Sequence, residues 1–385
     1  MTNPDAQPAP VGSEDDIRDR LVAMTRDLIL VPSHPGRPND RRRCHELVKN
    51  HLDALGAVEV REFEEHGSPS LVAMPKGCRV PEVLFCAHLD VITHPDIGFY
   101  KSEIRDGRII GPGAGDMKGA LAILLDLFRQ FHHRHPGLSL GMAVTSDEET
   151  GGEYGIGYLA EQRGLRCGVA IIPDGGSLND ITVEEKGILH LRAMCRGQPA
   201  HAARPWLGRN PIPRLTEALG RLQHRFQNWT DAASSDHWYP TCAVTVIGTE
   251  NQTINRIPGD ARASLDVRFP PPFTRESILQ EIEAALGPDV HLEIVVGAEP
   301  THLLPDPLYA RVIEEVTGRA AMFRRECGGS DARFLCRHDI PVLMSRPLVG
   351  NLHAADEWID IASMVQFHRI IARYLEERLQ WVERL

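Results

Sequence analysis

Residues 83–90 (VLFCAHLD), 117–131 (MKGALAILLDLFRQF) and 138–149 (LSLGMAVTSDEE) decide the fold of this chain. The first and third are apolar runs of strand length that lead into histidine or acidic residues. The second has apolar residues at helical spacing, which predicts an amphipathic helix between two buried strands. Such strands, alternating with helices, are typical of an α/β fold with a mostly parallel sheet flanked by helices.

The same alternation extends in both directions until about Ile188, where the pattern changes. From there, strands and helices follow the β-α-β-β-α-β order of a ferredoxin-like α+β unit. After about Pro300 the α/β pattern resumes. We therefore expect a disordered lead-in (1–15), a discontinuous α/β domain (16–187 and 299–385) and an inserted α+β domain (188–298).

Composition excludes several classes of protein. The formal net charge is -11, and the only dense basic run, Arg41 to Arg43, is interpreted as the solvated start of a helix, so we expect no nucleic-acid partner. The eight cysteines include no C-x-x-C pair, which argues against a disulfide framework and a thiolate zinc site. No apolar run is long enough to span a bilayer, and the polar first residues do not resemble a secretory signal. We expect a cytoplasmic protein that does not associate with membranes.

Potential metal ligands stand where apolar strand-like runs give way to loops. Two imidazoles and three carboxylates could hold two divalent cations if one carboxylate bridges them; the five residues are His88, Asp116, Glu149, Asp174 and His353. This set of nitrogen and oxygen ligands suits zinc, with cobalt or manganese as alternatives. Glu148, directly before Glu149, is then available as a base for a metal-dependent hydrolase.

Each motif also has a simpler explanation when it is taken alone. His88 and Asp90 lie two residues apart and face the same side of an extended chain, so Asp90 could accept the second ring N–H of His88, but a buried histidine beside an acid is common. Asp116 could be a helix N-cap. The Asp147-Glu148-Glu149 run could be a solvated turn, although buried like charges repel unless cations neutralise them.

The order of these motifs resembles the M20 family of metallopeptidases and deacylases, from about Asp16 to the end. That family includes succinyl-diaminopimelate desuccinylase, acetylornithine deacetylase, aminoacylase, glutamate carboxypeptidases and dipeptidases. The matching segments are His88-Leu89-Asp90, Gly115 to Gly119, Asp147-Glu148-Glu149, Pro173-Asp174, Glu185-Lys186-Gly187, Ala200 to Pro205, Asn255 to Pro258, Gly328 to Phe334 and His353.

The resemblance implies that the discontinuous domain (16–187 and 299–385) is the metal-binding catalytic domain and that the insert (188–298) is a lid and dimerisation domain. It also implies roles for individual positions. Asp116 would bridge two metal ions, with His88 and Asp174 completing one site and Glu149 and His353 the other. Glu148 would be the general base. The remaining roles that it implies are support of His88 by Asp90, oxyanion stabilisation by His201 in the partner subunit of a homodimer, and substrate binding by Asn255, Arg256, Gly328, Gly329, Ser330 and Arg333.

These observations predict a two-metal hydrolase that cleaves the amide bond of a small N-acyl amino acid. Asp174 stands where the family's deacylases usually have Glu and its dipeptidases more often have Asp, so a dipeptidase or another exopeptidase of the family remains an alternative. A second alternative is a non-catalytic homologue that binds amino-acid conjugates. Assays on free dipeptides and N-acyl amino acids, together with metal analysis, separate the three.

Overall fold

The computed structural model describes residues 13–231 and 237–379, which form two compact units. The first unit contains the described residues of Met1–Val183, Leu303–Arg324 and Ser330–Leu385. The second contains Glu184–His302 and Arg325–Gly329. The first unit is therefore discontinuous in sequence, and the short segment 325–329, which sequence analysis assigned to the catalytic domain, clusters with the second.

The helices are α1 Glu14–Ile29, α2 Pro38–Asp53, α3 Gly119–Arg134, α4 Ile156–Glu161, α5 Pro211–Asp231, α6 Arg275–Leu286, α7 Pro307–Thr317, α8 Ala332–Cys336 and α9 Ile361–Arg378. The strands are β1 Val58–Glu65, β2 Ser68–Pro75, β3 Val83–His88, β4 Glu103–Arg105, β5 Arg108–Ile110, β6 Leu140–Thr145, β7 Val169–Ile171, β8 Asp180–Glu185, β9 Gly187–Arg196, β10 Ala200–His201, β11 Thr241–Gly248, β12 Arg256–Ile257, β13 Asp260–Phe269, β14 Val290–Ala298, β15 Thr301–His302, β16 Met322–Glu326, β17 Val342–Leu343, β18 Val349–Gly350 and β19 Trp358–Asp360.

The central sheet of the first unit has the strand order β1-β2-β6-β3-β7-β17. The pairings β6–β3, β3–β7 and β7–β17 are parallel, whereas β1 and β2 form an antiparallel hairpin that joins β6. The predicted mostly parallel sheet is thus confirmed for its inner strands. The sequence analysis did not predict the hairpin at its edge.

Alternate residues of the inner strands pack into two separate apolar cores. In β3, Val83, Phe85 and Ala87 belong to one core, and Leu84 and Cys86 belong to the other. Successive side chains of a strand point to opposite faces of its sheet, so the two cores lie on opposite faces. The first core includes residues of α1, α3 and α9, and the second includes residues of α4 and α8. Burial on both faces explains why these strands are apolar throughout.

The second unit contains the predicted β-α-β-β-α-β order as β9, α5, β11, β13, α6 and β14. Its four strands pair antiparallel in the order β11-β13-β9-β14. Alternate residues of β9 and β13 form an apolar core with residues of α5 and α6, so the helices cover one face of the sheet. The proposed use of this unit as a lid and dimerisation domain stays a prediction.

The amino-terminal part of the chain differs from the prediction at Arg41, and most of its predicted disordered lead-in is not described. Most of the predicted lead-in, residues 1–12, lies outside the described residues, but Ser13 caps α1 through reciprocal hydrogen bonds with Asp16. The solvated position expected for Arg41 is wrong. Its side chain is buried and donates to the carbonyl oxygens of Ser146 at 3.3 Å and Gly67 at 2.7 Å. Among the described helices, none has both the length and the apolar character that crossing a bilayer requires.

Candidate metal centre

The carboxyl ends of three neighbouring strands carry acidic and imidazole side chains. His88 is the last residue of β3 and pairs with Thr145, the last residue of β6. Glu149 follows β6, and Asp174 follows β7 on the other side of β3. Because parallel strands end at the same edge of a sheet, the register places these side chains at one edge.

Asp116 reaches the same place from a tight turn before α3. The turn contains Gly113, whose φ of 82° lies in the left-handed region that favours glycine. The backbone N–H groups of Gly115 and Asp116 both donate to the carboxylate of Glu357, at 2.7 and 2.8 Å. Glu357 is buried, so this pair of hydrogen bonds fixes the backbone that carries the Asp116 side chain.

The structure brings the five predicted ligands together in two groups of three. One group is His88, Asp116 and Asp174, and the other is Asp116, Glu149 and His353. Within each group, one potential ligand atom from every residue lies within 4.8 Å of the others. Asp116 belongs to both groups, as expected of a bridging carboxylate. All five residues lie in the first unit.

Individual contacts show how closely the imidazoles face Asp116. His88 Nε2 lies 3.0 Å from Asp116 Oδ1, and His353 Nε2 lies 3.3 Å from Asp116 Oδ2. His353 Nε2 also lies 3.4 Å from Glu149 Oε2. The His88 side chain is buried, whereas that of His353 is 52% exposed, so His353 lies at the solvent side of the group.

Asp90 connects His88 to the acidic segment after β6. Its two carboxylate oxygens accept the backbone N–H groups of Glu148 at 3.3 Å and Glu149 at 3.1 Å. His88 Nδ1 lies 3.1 Å from the backbone carbonyl oxygen of Asp90 and 3.6 Å from its Oδ1. The nearer acceptor for the ring is thus the carbonyl, because the carboxylate is directed at the two backbone N–H groups.

The crowding of carboxyl groups changes their pKa values. Burial, reinforced by a neighbouring carboxylate, raises the pKa values of Glu148 and Asp174 well above the usual range. Burial also favours a higher pKa for Asp116, but the hydrogen bonds from His353 and His88 outweigh it and lower that pKa. The hydrogen bonds to Asp116 and Glu149 raise the pKa of His353 to about 10. Divalent cations would neutralise this cluster and take the place of these protons.

The residues predicted to contact substrate lie in both units. His201, Asn255 and Arg256 are exposed residues of the second unit, where β10 pairs with β12 so that His201 faces Arg256 in the register. His201 Nδ1 accepts the backbone N–H of Ala203 at 3.1 Å. Gly328 and Gly329 also belong to the second unit.

Ser330 and Arg333 are buried residues of the first unit. Arg333 donates to the backbone carbonyl oxygens of Ser330, at 3.1 Å, and of Gly151. Its guanidinium also lies 4.5 Å from the centre of the Phe334 ring. The described contacts of Arg333 therefore hold the glycine-rich segment against the turn after β6, and its predicted contact with substrate stays a prediction.

A third cluster of potential ligands is less suited to a cation. His45, Glu46 and Glu62 also come within 4.8 Å of one another. However, the Lys49 ammonium forms a short ion pair with Glu62 Oε1, so a side-chain cation already neutralises this carboxylate. Glu46 and Glu62 are exposed, as acidic residues on a solvated surface usually are.

Comparisons with known proteins agree with this geometry. The profile of peptidase family M20/M25/M40 matches residues 84–377, which include all five candidate ligands. The chain belongs to the M20 family. Succinyl-diaminopimelate desuccinylase from Xanthobacter autotrophicus is 33% identical over 385 residues, covering 92% of this chain and 99% of that protein. The enzyme of the same name from Rhodospirillum centenum is 30% identical, covering 92% and 96%.

Solved structures show the same fold at lower identity. The dipeptidase Dug1p from Saccharomyces cerevisiae superposes with a TM-score of 0.77 at 14% identity, covering 96% of this chain and 98% of that protein. An identity this low supports the mixed α/β architecture alone. Together with the family match, the desuccinylase relatives show that this M20 chain is a metal-dependent amide hydrolase.

Sequence reasoning missed the roles of several residues around the candidate metal centre. Glu357 was one, although it stands only four residues after His353. Arg346 was another, and its guanidinium lies 3.9 Å from Asp174 Oδ1. Asp147 was recognised only as part of the acidic run. It accepts the backbone N–H groups of Tyr154 and Gly155, at 2.8 and 3.0 Å, so it shapes the turn that carries Glu148 and Glu149.

Proposed function

We propose that this chain removes the acyl group from small N-acyl amino acids, with two divalent metal ions bound at the sheet edge. The observation that carries the proposal is the shared position of Asp116, which belongs to both groups of candidate ligands. His88 and Asp174 would complete one metal site, and Glu149 and His353 the other. In a structural metal site, the protein ligands usually fill all coordination positions of a single ion. A carboxylate shared between two ligand groups is instead typical of a pair of catalytic ions.

The donor set fits the proposed ions. Imidazole nitrogens and carboxylate oxygens suit zinc, and cobalt or manganese accept the same ligands. When bound, such ions lower the pKa of water and polarise the carbonyl group that is attacked. The charge of the ligand cluster supports their presence, because the protein's own imidazoles only partly offset its carboxylates.

Glu148 would be the general base of the reaction. Its backbone is held by the hydrogen bond to Asp90, while its side chain lies among the charges of Asp174, His88 and Asp116. Burial and the Asp174 carboxylate raise its pKa above the usual range of a glutamate, which makes Glu148 a stronger base for accepting a proton from water. Glu148 would take a proton from the attacking water and deliver it to the leaving amine nitrogen.

The remaining roles rest on the resemblance to the M20 family. His201 would stabilise the oxyanion in the active site of a partner subunit, which requires a homodimer. Asn255, Arg256 and Gly328 to Ser330 would bind the substrate, with Arg333 holding the last of these in place. The exposed positions of His201, Asn255 and Arg256 in the second unit are compatible with contact to a partner or to substrate.

The names of the two relatives direct the choice of substrate. Both are succinyl-diaminopimelate desuccinylases, so a succinylated amino acid is the first compound to test. The experiment reconstitutes the protein with zinc, cobalt or manganese and measures primary amine released from N-succinyl, N-acetyl and N-formyl amino acids, with free dipeptides as the comparison. Preferential hydrolysis of the N-acyl compounds supports the proposal.

Two other outcomes have distinct meanings. Preferential hydrolysis of free dipeptides would identify an M20 dipeptidase. Asp174 favours this alternative, because the family's deacylases usually have Glu at that position. Binding of amino-acid conjugates without any hydrolysis, in a protein that contains no metal after reconstitution, would identify a non-catalytic homologue.

A further inference from the structure

Arg346 is a mostly buried cation beside the metal centre whose Nε has no acceptor. Its side chain is 13% exposed, and its Nε lies buried without a hydrogen-bond partner among the described residues. Its Nη1 lies 3.9 Å from Asp174 Oδ1, which is too far for a hydrogen bond. A buried polar group without a partner costs free energy, and a ligand that supplies an acceptor to this guanidinium would recover part of that cost.

The sheet register fixes where this guanidinium lies. Leu343 of β17 pairs in parallel with Ile171 of β7, and Arg346 and Asp174 each follow three residues later. The segment is anchored on both sides of Arg346. Before it, the Ser345 hydroxyl is hydrogen-bonded to the Tyr309 hydroxyl at 2.7 Å. After it, Pro347 restricts the backbone conformation of Arg346. Arg346 therefore stands at the same sheet edge as the candidate ligands, on a rigid segment.

The charge and shape of Arg346 suit a planar anion. A guanidinium offers five N–H donors in a fixed fork that binds a carboxylate through two parallel hydrogen bonds. Asp174 cannot serve as this partner if it ligates a metal ion, because its oxygens are then directed at the metal. An additional fixed cation at a centre with two divalent ions would instead attract an anionic substrate.

We infer that Arg346 is a specificity-determining residue that binds a carboxylate of the substrate beside the metal centre. This inference rests on the proposed deacylase function and adds the residue that would bind a free carboxylate close to the scissile bond. The carboxylate could belong to a dicarboxylic acyl group, such as succinyl, or to the amino acid that is released. Both sources offer the same chemistry to the guanidinium.

Three substrates with the same scissile amide separate these sources. N-Succinyl-L-alanine carries both carboxylates, N-butyryl-L-alanine lacks the one on the acyl group, and N-succinyl-L-alaninamide lacks the one on the amino acid. The variants are Arg346→Gln and Arg346→Lys. The control is Arg42→Gln, which removes an exposed arginine that forms a 2.7 Å ion pair with Glu64.

Arg346→Gln is expected to raise KM for N-succinyl-L-alanine by about 10- to 100-fold, because it removes a charge-assisted pair of hydrogen bonds. For the one substrate that lacks the recognised carboxylate, KM of the variant should stay within about 3-fold of the wild-type value. That substrate therefore shows whether Arg346 binds the carboxylate of the acyl group or that of the amino acid. Arg346→Lys should recover part of the loss, since it keeps the charge without the fork. Bound metal and the melting temperature should match those of Arg42→Gln.

Two results would overturn the inference. An equal loss on all three substrates would show that Arg346 does not read a carboxylate, and a fall in bound metal would show that it acts through Asp174. If the wild-type protein hydrolyses none of the compounds, the proposed deacylase function fails, and calorimetric titration of the metal-loaded protein with succinate still tests Arg346. Binding that is at least about 10-fold weaker in Arg346→Gln supports the inference, and equal binding refutes it.

Discussion

The carboxylate of Glu357 accepts the backbone N–H of Asp116 at 2.8 Å, across 241 positions of sequence. The same oxygen accepts the N–H of Gly115 at 2.7 Å. Glu357 belongs to neither group of candidate ligands, but it holds the backbone of the one residue that belongs to both. It is thus a positioning residue for the carboxylate that we propose to bridge the ions.

Replacing Glu357 with Ala should weaken metal binding by about 10- to 100-fold, as is typical when a residue that orients a ligand is lost. The physical reason is that the turn carrying Asp116 loses its acceptor and two buried N–H groups lose their partner. Competition with a chromophoric chelator measures the affinity directly.

Glu357→Gln is the matched control for this variant. Burial and the neighbouring Asp116 raise the pKa of Glu357 to about 7, so a neutral side chain with one remaining acceptor oxygen changes the site less. Its metal affinity should lie closer to that of the wild-type protein than to that of Glu357→Ala. The positioning role would be wrong if Glu357→Ala bound metal as tightly as the wild type.

The sequence was sufficient to predict the elements that place the ligands, because their patterns are local. The apolar runs before His88, Glu149 and Asp174 correspond to β3, β6 and β7, and the helix predicted within residues 117–131 corresponds to α3. A buried strand needs apolar residues on both faces, and an amphipathic helix needs apolar residues at a spacing of about 3.6. Each of these patterns can therefore be recognised within a short stretch of sequence.

Residues whose partners are distant in the sequence produce no such local pattern. Glu357 was not predicted because its hydrogen bonds depend on the pairing of β19 with β5. Arg346 was not predicted because its neighbour, Asp174, follows a different strand. Arg41 was predicted to be solvated since it stands in a basic run, yet its acceptors are backbone carbonyls from two other segments. Tertiary contacts decided these three positions.

Glu148→Gln should lower kcat by about 10²- to 10⁴-fold, because an amide cannot accept the proton of the attacking water. Glutamine has nearly the same shape, and the backbone N–H of residue 148 would still donate to Asp90. Steady-state assays on the preferred substrate measure the loss. Bound metal and the melting temperature should remain those of the wild type, and a turnover close to normal would exclude Glu148 as the base.

Metal binding should release protons, with His353 contributing about one per chain at pH 8. Its hydrogen bonds to Asp116 and Glu149 raise its pKa to about 10, so the imidazole of the metal-free protein is protonated at that pH. A bound metal requires the neutral ring. Calorimetric titration of zinc in buffers with different ionisation enthalpies measures the number released, and His353→Gln should release about one fewer.

The same raised pKa gives His353 a defined effect on the stability of the metal-free protein. The contribution is complete below the ordinary histidine pKa of about 6.5 and is lost as the pH rises through about 10. The melting temperature of metal-free His353→Gln should therefore be lower than that of the wild type at pH 7, and the two should converge above pH 10. A difference that grows with pH would contradict this sign.

Mixing inactive variants tests the proposed action of His201 in a partner subunit. Preparations of His201→Ala and Glu148→Gln, each with little activity, are combined at equal concentration and allowed to exchange subunits. Mixed dimers would contain one intact site, so the mixture should regain up to about a quarter of wild-type activity. Sedimentation analysis confirms that dimers are present. Dimers that exchange subunits without recovering activity would show that His201 does not act across subunits.

The stability of the first unit should depend on Asp126, a buried carboxylate of α3 that joins three helices. Asp126 accepts from Arg20 Nε of α1 at 2.9 Å and lies 3.0 Å from His368 Nε2 of α9. Replacing it with Ala leaves the Arg20 and His368 side chains without their acceptor. Because the Arg20 side chain is 40% exposed, solvent screens part of this loss, and the expected cost is about 1–3 kcal/mol. Urea denaturation at pH 7 measures the change in the free energy of unfolding.

The pH dependence of this effect follows from the lowered pKa of Asp126. Burial opposes ionisation, but hydrogen bonds from His368 and Arg20 outweigh it and hold the pKa below its usual range. The stabilisation is therefore complete above the ordinary aspartate pKa of about 3.9 and is lost as the pH falls through the lower, folded value. Asp126→Asn keeps the shape without the charge, so its deficit in unfolding free energy should be large at pH 7 and shrink as the pH falls below about 3.9. A deficit that is equal at both pH values would show that packing, and not the ionised carboxylate, joins the three helices.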